Sequence, residues 1–347
     1  MQFKTSTNTT TDFPFWKKMK IANDDLNKII GSRSSSQISV INKKLYLFGG
    51  ENIPRIPSNS NLYMIDFSVK QPIYHWQEIK TFGKKPPKRL GHSQIAINNF
   101  IYIFGGRQGI SMNELPLNDL WKFDVLNSKW IEINQYDNIA PSKRSFHTMT
   151  AIKNFIYIYG GCGQNGRLSD LHCFDIIHNR WIPNINNNHF ISGRGGSCII
   201  PSNDECNLFI IGGFKGKESN AIYKYSISEN NWYTVYKEDN DQIMPFSVFI
   251  CGKINNKIVC FGGEISPSII GHNGAGKFSN DLYIFDGNDA TIKKNKINYV
   301  FPERPLPRGW SSGCNFTKDE IIIFGGLTGN DEFPKKLNDI WILELQK

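Results

Sequence analysis

Apolar residues in this chain alternate with polar ones in short runs, and six of those runs end in the same way. Leu45-Tyr46-Leu47-Phe48 runs into Gly49-Gly50, and the phrase returns at Gly105-Gly106, Gly160-Gly161, Gly212-Gly213, Gly262-Gly263 and Gly325-Gly326. The steps between them are 56, 55, 52, 50 and 63 residues. A period near 50 residues built from strand-length runs marks a propeller or a repeat array. The second repeat shows the unit most clearly. Its strands are Ser93 to Ile97, Phe100 to Phe104 after an Asn98-Asn99 turn, Leu120 to Asp124, and Trp130 to Ile133 after Asn127-Ser128.

The other repeats keep this order. The third-strand phrase recurs at Leu62 to Asp66, Leu171 to Asp175, Ile222 to Tyr225, Leu282 to Asp286 and Ile340 to Leu343. A fourth-strand Trp stands at Trp76, Trp130, Trp181 and Trp232, and the tryptophans are expected between blades as core. The fifth repeat has no such Trp, and Ile292 to Ile297 takes its place. The sixth repeat stops at Lys347 before a fourth strand, while Trp16-Lys17-Lys18-Met19 carries the missing phrase at the other end. The N-terminal strand, around 14–21, is therefore expected to complete the last blade, built from about 308–345, and to remove the open sheet edge. A short helix over Asp24 to Ile30 is the one local alternative to strand.

These residues resemble the kelch repeat: Gly-Gly after an apolar strand, then a spaced Tyr or Trp, then a spaced Trp. The resemblance runs from about residue 14 to 345 and implies an all-β, six-bladed kelch β-propeller, one domain over 1–347. The fold does not imply a function, which lives in the loops.

Composition narrows the classes. The chain has 347 residues, 39% hydrophobic, 13% aromatic and 20% charged, with a formal net charge of +9. That is the composition of a folded domain able to bury a large core. The basic clusters are short and carry no interleaved aromatics, so nucleic acid is not the expected partner. No run approaches ~18 apolar residues, which excludes a membrane helix. The N-terminus lacks the apolar core of a signal peptide. Seven irregularly spaced cysteines without a CxxC pair read as reduced thiols. A monomeric cytoplasmic or nuclear protein is the expectation, with the sequons at Asn8 and Asn315 unused.

Chemistry has two candidate places. Five repeats put an Arg 16 to 18 residues before Gly-Gly: Arg33, Arg89, Arg144, Arg194 and Arg308; the fifth has Pro245-Phe246 there. His92 and His147 follow three residues after Arg89 and Arg144. Two readings are open. The arginines surround one mouth of the channel and bind a carboxylate, sulfate or phosphate, with the histidines as further donors. Alternatively each ties a loop to its own blade. In kelch propellers that bind acidic peptides, the resemblance implies that equivalent arginines make those contacts. The Asn/Ser-Asp pairs ending at Asp119, Asp170, Asp281 and Asp339 read as loop-to-strand junctions satisfying backbone N–H groups, not as catalytic acids.

The second place is the long loop from Glu264 to Phe278. Gly271-x4-Gly276-Lys277 imitates a phosphate loop but lacks the following Ser or Thr and precedes a strand instead of a helix. The segment from Gly262 through Gly276 is similar to a loop of plant nitrile-specifier and thiocyanate-forming kelch proteins. There, Glu, Asp and His at intervals of four are implicated in Fe(II) binding during glucosinolate aglycone breakdown. Glu264 and His272 match, and Ser268 stands in the Asp position, which weakens the donor set.

The reading is thus a protein-interaction scaffold or adaptor recognising an acidic peptide or protein loop, without a cofactor. Its rivals are an Fe(II)-dependent specifier-like lyase and a binder of small anions.

Overall fold

The computed structural model describes residues 13–109, 116–134, 139–186, 191–238, 242–294 and 303–346, with the side chains of His272 and Lys294 excepted. The sequon at Asn8 and the end of the fifth repeat's last strand lie outside the described residues.

Six four-stranded antiparallel sheets stand around one axis. Blade 2 is representative: Ser93–Ile97, Phe100–Gly106, Leu117–Asp124 and Lys129–Ile133, each paired with the next. In blade 5 the fourth strand is the short Ile292–Lys294. The strands are β-branched and aromatic on both faces, because each sheet is packed between two others. Core clusters accordingly alternate between neighbours. One joins Phe48, Tyr46 and Met64 of blade 1 to Ile101, Trp121 and Trp130 of blade 2. Another joins Phe104 and Leu120 of blade 2 to Ile156 and Trp181 of blade 3. The fourth-strand tryptophans are buried in these seams, as their spacing implied.

The ring closes as expected. Phe13–Lys18 pairs antiparallel with Trp341 to Gln346, in register from Phe13 opposite Gln346 to Lys18 opposite Trp341. Trp16, 5% exposed, leans on Phe261 of blade 5 with ring centroids 4.6 Å apart. The remaining N-terminal segment forms the helix Asp25–Ile30, capped by Asp24, whose side chain accepts from the Asn27 N–H. Among the described residues, no helix is long and apolar enough to cross a membrane. All seven cysteines are free.

Candidate functional site: the face where the long loops gather

The Gly-Gly of each repeat ends the second strand, so the loops to the third strand gather on one face. The connections from one blade to the next arrive on that same face. The two glycines are needed there. Gly105 has φ of 62°, and a Cβ on it would lie 2.7 Å from the Arg144 carbonyl oxygen.

The five repeated arginines lie beneath this face, inside the blades. Each is 0–1% exposed. Arg89 donates from Nη1 and Nη2 to the two carboxylate oxygens of Asp119 at 2.8 and 2.7 Å, and from Nη1 to the Gly105 carbonyl at 2.9 Å. Arg144 repeats the arrangement with Asp170 and Gly160, and Arg308 with Asp339 and Gly325. Among the described residues Arg33 has no such acid; it donates to the Gly49 and Ile30 carbonyls, and burial lowers its pKa to about 10. Arg194 donates to the Gly212 carbonyl and the Ser219 hydroxyl and lies over the Tyr223 ring.

The expectation of a shared anion pocket is corrected accordingly. The five guanidinium groups are spread one to a blade, each donates to carbonyls of its own blade, three are neutralised by a bidentate carboxylate, and Arg194 Nη2 is buried without a hydrogen-bond partner. The Asp junctions change role as well. Burial alone would raise Asp119, Asp170 and Asp339, but hydrogen bonds and the arginine charge outweigh it and hold all three below the ordinary carboxylate range. Asp119 and Asp339 also accept from the indole N–H of Trp121 and Trp341. Blade 5 replaces the ion pair by an aromatic one. Phe246 occupies the arginine's sequence position, and its ring stacks on Tyr283 with centroids 5.6 Å apart and planes 8° apart.

His92 and His147 are corrected too. They are 1% and 6% exposed and meet Phe48 and Phe104 of the preceding blade edge-on, at 5.6 and 5.3 Å. Burial, reinforced by Arg89 and Arg144 respectively, drives His92 well below its usual pKa and His147 to about 3. Both are neutral in the physiological range and act as packing.

Two residues beyond each arginine position, the chain does something the sequence did not announce. Ser35, Gly91, Phe146, Gly196, Val248 and Trp310 all have positive φ, between 47° and 62°. The N–H of each donates to the carbonyl of the corresponding residue in the preceding blade, at 2.6 to 3.0 Å, and the sixth bond closes the circle from Ser35 back to Trp310. This backbone ring tightens the channel at the loop face. The rings of Phe146 and Trp310, from opposite blades, meet edge-on at 5.3 Å. Beyond them the channel holds a cavity of about 530 Å³, lined by innermost-strand residues including Ser39, Gln94, Thr150, Cys198 and Cys251.

Side chains on the face itself differ from blade to blade. On blades 2 and 3, Arg107 follows Gly105-Gly106 directly, and its Nε is buried without a hydrogen-bond partner. Arg167 is exposed and lies over the Phe214 ring at 4.4 Å. The positive charges of both reach Cys162, where burial pushes the thiol up and the two guanidinium groups oppose it. The sequence reading passed over this pair. The available signal was Arg107 immediately after Gly-Gly, where blade 1 and blade 5 have Glu51 and Glu264.

Blades 4 to 6 carry acids and lysines together, such as Lys215 paired with Glu238 at 2.7 Å. Glu264 is 7% exposed, and burial, then the charges of Glu218 and Asp331, push it up to about 8. The Ser268 backbone N–H opposes this. The Glu264–Phe278 loop folds back on itself, Glu264–Ser266 against Lys277–Phe278, so the phosphate-loop lookalike holds one 3-10 turn, Gly271–Asn273, and leads into a strand where a phosphate loop would lead into an α-helix. Ser268 replaces the Asp, and no three His, Cys, Asp or Glu side chains among the described residues are grouped to hold a metal. The His272 side chain is outside the described residues.

Comparison with known proteins settles the family. The description of the KLHDC2/KLHL20/DRC7 Kelch-repeats domain matches residues 35–263, about two thirds of the chain. The chain belongs to the kelch family. It is similar to N-(sulfonatooxy)prop-2-enimidothioate sulfolyase of Thlaspi arvense, with 26% identity over 317 residues, covering 85% of this chain and 88% of that protein. It is similar to Kelch domain-containing protein 2 of Bos taurus, at 24% over 82% of this kelch chain and 73% of that one. Host cell factor of Drosophila melanogaster is 26% identical over 62% of the chain, which spans only 15% of that protein. Among solved structures, YjhT aligns over 91% of the chain and 98% of its own, with a TM-score of 0.67 and 15% identity, a likeness of fold alone.

Proposed function

We propose that this kelch propeller is a protein-interaction platform that holds an acidic peptide or an acidic loop of a partner on blades 2 and 3. The observation that carries the reading is the Arg167 guanidinium, exposed and stacked on Phe214, beside Arg107 with its unpartnered Nε. A guanidinium supported by an aromatic face is held in place while its fork stays available to a carboxylate. The five buried arginines shape this face without touching the ligand. Similarity to Kelch domain-containing protein 2 and to host cell factor supports a binding role.

The test is direct binding of labelled acidic dodecapeptides. Each charge-assisted hydrogen bond is worth roughly 1.5–3 kcal/mol, so the double variant Arg107→Ala/Arg167→Ala is expected to weaken binding by at least about a hundredfold, with affinity falling as salt rises. Unchanged binding in that variant, or equal binding of basic peptides, refutes the reading.

A lyase activity is the second reading, favoured by the sulfolyase similarity along the chain and by the proton held on Glu264. Anaerobic Fe(II) titration decides it: no uptake, or uptake indifferent to His272→Ala, removes it.

A further inference from the structure

Blades 3 and 4 depart from the repeat at two positions that meet. Blade 4 has Ala221 where blades 2, 3 and 6 have Asp119, Asp170 and Asp339. The backbone fixes this correspondence. The Arg144 N–H donates to the Leu117 carbonyl, two residues before Asp119, and the Phe246 N–H donates to the Ser219 carbonyl, two residues before Ala221. In blade 3, Tyr159 stands directly ahead of Gly-Gly, where the other repeats have Phe48, Phe104, Ile211, Phe261 and Phe324. We propose that Arg194 of blade 4 and Tyr159 of blade 3 together bind a small monovalent anion, a halide or a one-carbon carboxylate, in the place that aspartate holds in the other blades.

Both side chains are 0% exposed. Arg194 Nε donates to the Ser192 carbonyl at 3.2 Å, and Nη1 to the Gly212 carbonyl and the Ser219 hydroxyl at 3.0 and 3.4 Å. Nη2 has no partner among the described residues, and neither has the Tyr159 hydroxyl. The matching Nη2 of Arg144 has two, Asp170 at 2.7 Å and Ser142 at 3.1 Å. The unpartnered atoms belong to one site, because the Arg194 charge acts directly on the Tyr159 hydroxyl. Burial outweighs that charge and keeps the hydroxyl protonated, so it can donate. Were Nη2 to donate to the Tyr159 oxygen, the hydroxyl hydrogen and the positive charge would still go unanswered. Leaving either group without an acceptor is costly in a protein interior.

Charge selects the occupant. A guanidinium has donors and no acceptor, and a buried cation needs an opposing charge. Glu238 approaches Arg194 through Ser219, whose hydroxyl donates to Glu238 Oε1 at 3.1 Å, but Glu238 is itself paired with Lys215 at 2.7 Å. Arg194, Lys215 and Glu238 therefore leave a single positive charge over. A monovalent anion removes it, and a water molecule does not. Alanine in place of aspartate removes a single carboxyl group, so the occupant is of that size; sulfate and phosphate bring more bulk and charge. The site belongs to a single arginine beneath the loop face, so it is independent of Arg107 and Arg167.

The experiment is thermal unfolding, followed by circular dichroism, in sodium chloride, sodium formate or sodium gluconate at equal ionic strength. Gluconate is too large for the site. An anion present at about ten times its Kd is expected to raise Tm by about 2 °C over gluconate. Chloride ahead of formate assigns the site to a halide, and formate ahead of chloride to a carboxylate. Ala221→Asp restores the carboxylate and should raise Tm in gluconate while cancelling the difference among salts. Tyr159→Phe adds no bulk and should weaken the anion by at least about tenfold, read from the salt concentration at half effect. Arg107→Ala/Arg167→Ala should keep the full salt effect, whether or not it still binds acidic peptides. Equal Tm in all three salts, or a salt difference undiminished in Tyr159→Phe or in folded Ala221→Asp, overturns the proposal in favour of a water molecule.

Discussion

Replacing Asp170 by alanine tests whether the repeated arginines are internal ties. Arg144 is 0% exposed, and Asp170 accepts from both of its terminal nitrogens at 2.8 and 2.7 Å. Without the carboxylate, a cation stays buried with only the Gly160 and Ser142 oxygens for company. Breaking one side of a buried pair costs roughly 3–5 kcal/mol. Unfolding entropy near 2.1 cal/mol/K per residue gives about 0.7 kcal/mol/K for a chain of this length, so Tm should fall by roughly 4–7 °C. Thermal unfolding followed by circular dichroism measures this. The double variant Arg144→Met/Asp170→Leu removes the charge with its partner and should recover most of the loss. A single variant within 1 °C of the parent, or a double variant no better than the single, refutes the argument. The pair also sets an acid limit. Asp119, Asp170 and Asp339 have depressed native pKa values, so their contribution is present above the unfolded carboxylate value near 3.9 and is lost as pH falls through the native ones.

Two further outcomes rest on other contacts. Glu264 has the opposite sign: its native pKa is raised to about 8, so its burden on stability is absent below the unfolded value near 4.3 and complete above pH 8. Glu264→Gln should therefore raise Tm at pH 9 by several degrees and leave it nearly unchanged at pH 4; equal shifts at both values would contradict the burial argument. Trp16→Ala empties the seam against Phe261 and should cost about 3–5 kcal/mol, read as a lowered urea midpoint. A loss below about 1 kcal/mol would mean that the closing strand contributes little.

The sequence by itself determined the ring of blades. Gly-Gly after an apolar run forces a turn that few residues tolerate, and the alternation of Phe100 to Phe104 or Leu120 to Asp124 leaves little choice of element. The unpaired strand phrase at Trp16 implied closure because the sixth repeat lacked a strand. Such signals are local, and period and backbone permission survive without knowledge of what lies across the axis.

Only the tertiary structure decided what the repeated polar residues do. An arginine's fate depends on whether an acid thirty residues away comes within 3 Å of it, as Asp119 does for Arg89 and as no acid among the described residues does for Arg33. The hydrogen-bonded circle through Ser35, Gly91, Phe146, Gly196, Val248 and Trp310 has no common residue type, because it is made of backbone. Spacing along the chain placed these groups on one face. Distance across the chain paired Arg89, Arg144 and Arg308 with carboxylates beneath that face, and it left the Arg167 guanidinium exposed on it.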